Sequence, residues 1–166
     1  VSKPLIALSA AFALLAIIVA GCGGGSDSTG TEATTSSLTK AEFLKQGNAI
    51  CAKGNTEIEE GFEEFAKEHN FSQKSQPSKA ELEEAVETIV IPKVRRQVEG
   101  IAALGVPSEG GKEAEEVLAA AEKALEEGEE NPALMAGEGD DPFAKVNKMA
   151  KEFGLVKCAE GEGEEG

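Results

Sequence analysis

The sequence predicts an all-α fold, a small helical bundle of about four helices. Three observations carry that expectation. Apolar residues recur on one helical face: Leu44, Cys51, Ile58 and Phe65 stand seven apart, with Phe62 beside the last pair. Two Ser/Thr-x-x-Glu capping boxes, Thr39 with Glu42 and Ser78 with Glu81, each open an apolar-periodic run. No convincing pair of alternating apolar and polar runs is joined by a hairpin turn.

The first helix begins after Thr39, with Leu38 and Phe43 placed to form a hydrophobic staple across its first turn. The second opens at Ser78 and keeps its phase through Leu82, Val86, Ile89, Val90, Val94, Val98 and Ile101. That phase continues across Pro92, so one helix kinked at Pro92 is expected. A short strand over "TIVI" is the alternative, because those residue types also favour sheets. Gly105 followed by Pro107 ends the element. A third helix should run from about Lys112 to Glu127, with Val117, Leu118, Ala121 and Leu125 inward and Gly128 as its stop. The link "EENPALMAGEGDD" is irregular apart from one turn around Leu134 and Met135. Asp141 and Pro142 then start a fourth helix carrying Phe143, Val146, Met149 and Phe153 as far as Gly154.

Ahead of the domain lies a different kind of sequence. Residues 1–21 combine Lys3, an apolar stretch from Leu5 to Ala20, and the small pair Ala20-Gly21 just before Cys22. This is the three-part layout of a secretory signal peptide. A plain membrane-spanning anchor is the competing account, and no positive cluster follows to stop transfer. Val19-Ala20-Gly21-Cys22 resembles the lipobox of bacterial lipoproteins. The resemblance implies that Cys22 is diacylated on its sulfur and becomes the new N-terminus. One acyl chain binds a membrane only marginally, whereas two anchor it stably. Cys22 would therefore be the partner of the membrane, on its extracytoplasmic face. Residues 22–37 form the lipidated cysteine and a flexible tether, "GGGSDSTGTEATTSS". The helical domain spans 38–158, and 159–166 is an acidic, glycine-rich tail expected to be disordered.

With Cys22 given to lipid, Cys51 and Cys158 are left, and export would put them where disulfides persist. Joining them closes a loop of roughly 100 residues, for which the chain-entropy model gives about 4.7 kcal/mol. Two buried free thiols remain the alternative. The segments "AEFLKQGNAICAKGNTEI" and "DPFAKVNKMAKEFGLVKC" are similar to a loose group of uncharacterised small secreted or lipid-anchored helical proteins of high-GC Gram-positive bacteria. A cysteine in the first long helix and another just past a final Gly-Leu segment recur there. That resemblance implies the same pairing and no activity.

Composition excludes several functions. The 31 acidic and 16 basic residues give a net charge of −15, which repels phosphate backbones and anionic headgroups, so no nucleic-acid partner is expected. Trp and Tyr are absent, which removes the usual stacking platforms for sugars and bases. His69 is the only histidine, and the chain has no zinc-ligand spacing, C-x-x-C, G-x-S-x-G, P-loop or Rossmann glycine pattern. A solvated surface histidine, no metal site, no cofactor and no catalytic constellation are the expectation. Paired glutamates such as Glu63-Glu64 and Glu83-Glu84 fall among lysines on polar faces, where such runs serve solubility.

Three features could still hold a ligand. Gly47, Gly54 and Gly61 also recur every seven residues, at about 1 kcal/mol each relative to alanine. Either a partner helix packs closely on this ridge, the stronger expectation, or the ridge is a ligand groove flanked by Asn48 and Asn55. Lys93, Arg95 and Arg96 form the one basic cluster, either an anion clamp or, more simply, partners for neighbouring glutamates. The acidic link at Glu138, Asp140 and Asp141 could attract a cation but lacks the alternating loop of a calcium site. The expected function is a non-catalytic, lipid-anchored binding or structural module at the cell envelope. A small-ligand or cation carrier is the alternative.

Overall fold

The computed structural model describes residues 37–72 and 74–160; the expected signal peptide, Cys22 and all but the last residue of the expected tether lie outside them, as does 161–166. The described residues are helical, with turns between the helices and no β-strand. Helix α1 covers Lys40–Glu68. Its N-terminus is held as the capping box requires: Thr39 Oγ1 accepts from Glu42 N at 3.3 Å, and Glu42 Oε2 accepts from Thr39 N at 3.0 Å. Leu38 packs against the core cluster that contains Phe43. Past the helix, Asn70 adopts φ 57°, a left-handed conformation that asparagine tolerates, and the Phe71 N–H returns to Ala66 O at 2.9 Å.

Helix α2 (Lys79–Ala85) carries the second capping box, with Ser78 N donating to Glu81 Oε2 at 2.7 Å. It runs without a break through a π turn, Val86–Val90, into α3 (Ile91–Ala102). Proline explains the π turn. Pro92 has no N–H, and at normal α pitch its ring would collide with the carbonyl four residues back. Widening the preceding turn by one residue, so that Ile91 N–H reaches Val86 O, relieves the collision and lets the helix continue. The strand alternative at "TIVI" is not adopted.

Helix α4 covers Gly111–Glu130 and so runs past Gly128, which the sequence marked as its stop. Gly128 is instead a point of close approach: a side chain there would collide with the Met135 thioether of the short helix α5, Pro132–Met135. The chain leaves α4 at Asn131, ahead of Pro132. At the other end, Gly110 at φ 72° supplies the entry without any side-chain cap. Helix α6 is regular over Ala144–Phe153, two residues later than a cap at Asp141 with Pro142 as first helical residue would place it, although Asp141 Oδ1 does accept from Phe143 N at 2.8 Å. Gly154 at φ 112° ends it, and a 3₁₀ turn, Val156–Cys158, follows.

α1 packs on α3, α3 on α4 and α4 on α6, while the 3₁₀ turn touches both α1 and α6. The main core joins Phe43, Cys51, Ile101, Ala114, Val117, Ala150, Phe153 and Leu155. Phe43 and Leu155 are 0% and 1% exposed, and no charged or polar side chain is buried among the described residues. Phe43 meets Phe153 edge to face at 6.1 Å between ring centroids. Cys51 and Cys158 are joined as a disulfide across 107 residues of chain, with Cα atoms 5.0 Å apart.

Candidate functional site

The glycine ridge is occupied by the protein itself. Leu155 fills the space over Gly47, the Gln97 side chain that over Gly54, and Ile89 that over Gly61. Without side chains at these positions, α1 receives the C-terminal segment at Gly47 and the π turn with α3 at the other two. The ridge is a packing surface and not the open ligand groove that was the alternative.

Asn48 and Asn55 are taken up in the same closure. Asn48 Nδ2 donates to Leu44 O and Gly154 O, both at 2.9 Å, and its Oδ1 accepts from Lys157 N at 2.8 Å. Asn55 Nδ2 donates to Lys157 O at 2.9 Å, and its Oδ1 accepts from Gln97 Nε2 at 3.3 Å. Two amides one heptad apart thus hold both backbone groups of Lys157, next to the Cys51–Cys158 disulfide. The two amides, the disulfide and Gly47 together fasten residues 154–158 along α1.

The basic cluster does not converge. Arg95 pairs with Glu129 of α4, and Arg96 pairs with Glu57 of α1 at 3.0 Å. The two guanidinium groups therefore face different helices, and Lys93 makes no ion pair among the described residues. The acidic link is also dispersed, since Glu138 pairs with Lys79 at 2.6 Å and Asp141 receives the Phe143 N–H. Among the described residues, no three His, Cys, Asp or Glu side chains come together as metal ligands. His69 is not freely solvated: it stacks on Phe65 with centroids 4.1 Å apart, lies 5.4 Å from Phe71, and has Nδ1 3.6 Å from Glu81 Oε1.

A cleft of about 610 Å³ opens within the bundle, and no local sequence motif marks it. Val98, Ala121, Ala124 and Val146 form a second apolar cluster, with Val94, Leu118, Ala120 and Phe143 packed against it. This cluster draws on α3, α4, α6 and Phe143 and has no member from α1. The cleft lies along it, lined on the α1 side by Asn55, Ile58 and Glu59. Leu134, Met135 and the disulfide complete the wall. Val94, Leu118 and Phe143 are all only half-buried, so the apolar wall reaches solvent. One signal of it is present in the sequence: alanine occupies positions 121 and 150 on its wall, where a short side chain fills less volume than a leucine or valine would.

The Ser78 hydroxyl and N–H hold the Glu81 carboxyl below the usual glutamate range, with a smaller contribution from His69, and Thr39 does the same for Glu42. Hydrogen bonding to Glu138 raises the Lys79 ammonium. Fold and cleft together define a disulfide-closed helical domain with a solvent-reaching cleft lined mainly by apolar side chains. No family model, curated protein or solved structure matches the chain.

Proposed function

We propose that this protein is a non-catalytic binding module, exported and held to the extracytoplasmic face of a membrane by lipid on Cys22, whose domain takes up a small apolar molecule. The observation that carries the binding role is the cleft of about 610 Å³, walled mainly by aliphatic side chains and Phe143. Its volume falls in the range of ~300–1,000 Å³ common to small-molecule sites, and a few amides at its margin suit such a site. A gap of this size in the bundle forgoes dispersion contacts. Apolar matter entering it would recover them. The anchor and the export route rest on the lipobox at Val19–Cys22 and on the tether behind it. A metal-ion carrier gains no support, because among the described residues no three His, Cys, Asp or Glu side chains come together as ligands.

The test is a fluorescence titration with N-phenyl-1-naphthylamine, a neutral probe that brightens in apolar surroundings. We expect saturable binding at one site, weakened at least tenfold by Val94→Phe, which adds a ring to the cleft wall. Melting by circular dichroism should show that this variant remains folded. Absence of saturable binding to the wild-type protein would remove the small-molecule reading.

A further inference from the structure

Taking the cleft as a ligand site, we propose that it selects cationic amphiphiles, molecules with an apolar body and an ammonium or guanidinium head, and discriminates against fatty carboxylates. The ionisable side chains on the cleft wall are Glu59, Asp141 and Glu160, all acidic, and no Lys, Arg or His contributes to it. Glu160 is matched internally by Lys157 Nζ at 2.7 Å. Glu59 and Asp141 make no ion pair among the described residues, and Asp141 uses only Oδ1, for the Phe143 N–H. The nearby arginines are committed elsewhere, Arg95 to Glu129 and Arg96 to Glu57. An occupant with a carboxylate head would meet two solvent-exposed carboxylates lacking a countercharge at the margin of the apolar wall. A cationic head would meet its complement, and its hydrocarbon would lie along Val94, Leu118 and Phe143.

The experiment compares dodecylamine, dodecanol and laurate as displacers of N-phenyl-1-naphthylamine from the full-length protein, below their micellar concentrations and at 0.15 M salt. The hydrocarbon is the same in all three, so only the head differs. We expect the amine to displace at roughly tenfold lower concentration than laurate, with dodecanol between, as two partly exposed ion pairs would allow. Glu59→Gln with Asp141→Asn should shrink that gap to threefold or less, and the asparagine retains the acceptor for Phe143 N. A second double variant, Glu115→Gln with Glu126→Gln, removes the same net charge at exposed sites outside the cleft and should leave the gap intact.

Laurate displacing as well as the amine would overturn the proposal, as would equal narrowing in both double variants, which would mean bulk attraction to an acidic protein. Sedimentation as a dimer that does not take up the probe would assign the cleft to a second copy and also overturn it. Saturable probe binding without discrimination sinks this inference while leaving the apolar site standing. Failure of the probe to bind at all sinks the site itself.

Discussion

A methyl group on Gly47 would lie 2.6 Å from Cδ2 of Leu155, a side chain that is 1% exposed and part of the main core. Alanine ordinarily gains a helix about 1 kcal/mol over glycine, yet overpacking costs typically ~1–3 kcal/mol. We expect Gly47→Ala to destabilise the domain by about 1–2 kcal/mol in urea unfolding. Gly100 is the contrast, because a methyl there would meet Ile50 Cγ2 at 3.3 Å, near a half-buried side chain that can give. Gly100→Ala should be neutral or stabilising by up to about 1 kcal/mol, and equal effects at the two sites would refute the packing account of the ridge. The recurrence of Gly47, Gly54 and Gly61 was legible in the sequence, and so was the likelihood that something packs there. What fills each position was not, because Leu155 is 108 residues from Gly47 along the chain and only the disulfide hints that the segments meet.

At the scale of elements, local chemistry was the most legible part of the fold. Both capping boxes close as their spacing requires, since the interaction spans four residues and needs nothing from the rest of the chain. Gly128 could not be read so simply. A glycine near a helix end suits a stop, and only the tertiary approach of Met135 reveals that it serves packing instead. The π turn ahead of Pro92 belongs between these cases, because the proline announces an irregularity while its form depends on keeping α2 and α3 in one apolar phase. The capping glutamates also make the helix starts acid-sensitive. Glu42 and Glu81 have folded pKa values below their unfolded ones, so their stabilisation is present above the unfolded carboxylate range and disappears as pH falls through the folded values. Helicity followed by circular dichroism should fall with acid through that range. Glu42→Gln with Glu81→Gln should flatten the part of the loss that these caps cause, and an unchanged acid profile would contradict it.

The molecule as a whole has two very different parts in its sequence, and in the proposed lipid-anchored form they would solve one problem of placement. A domain in a chain of net charge −15 is repelled by anionic headgroups, so it needs both an anchor and a spacer to work beside a membrane. Two acyl chains on Cys22 would supply the anchor at ~0.8 kcal/mol per buried CH₂. A flexible Gly/Ser chain of fifteen residues, the length of 23–37, would extend roughly 20 Å on average. That exceeds the Debye length of about 8 Å at physiological salt, so the headgroup field would be largely screened at the far end of such a chain. The prediction that follows concerns the covalent state of one residue. Mass spectrometry of the N-terminal peptide from the protein made in its own host should find residues 1–21 absent and Cys22 carrying a diacylglyceryl thioether. When the lipobox signal is replaced by an ordinary cleavable one and Cys22→Ser is introduced, the domain should move from the membrane fraction to the soluble one. An intact apolar stretch from Leu5 to Ala20 in the mature protein, or an unmodified Cys22, would return the attachment to a membrane-spanning segment. The domain would then be held by protein and not by lipid, and the cleft would keep its chemistry while losing the proposed means of standing off the surface.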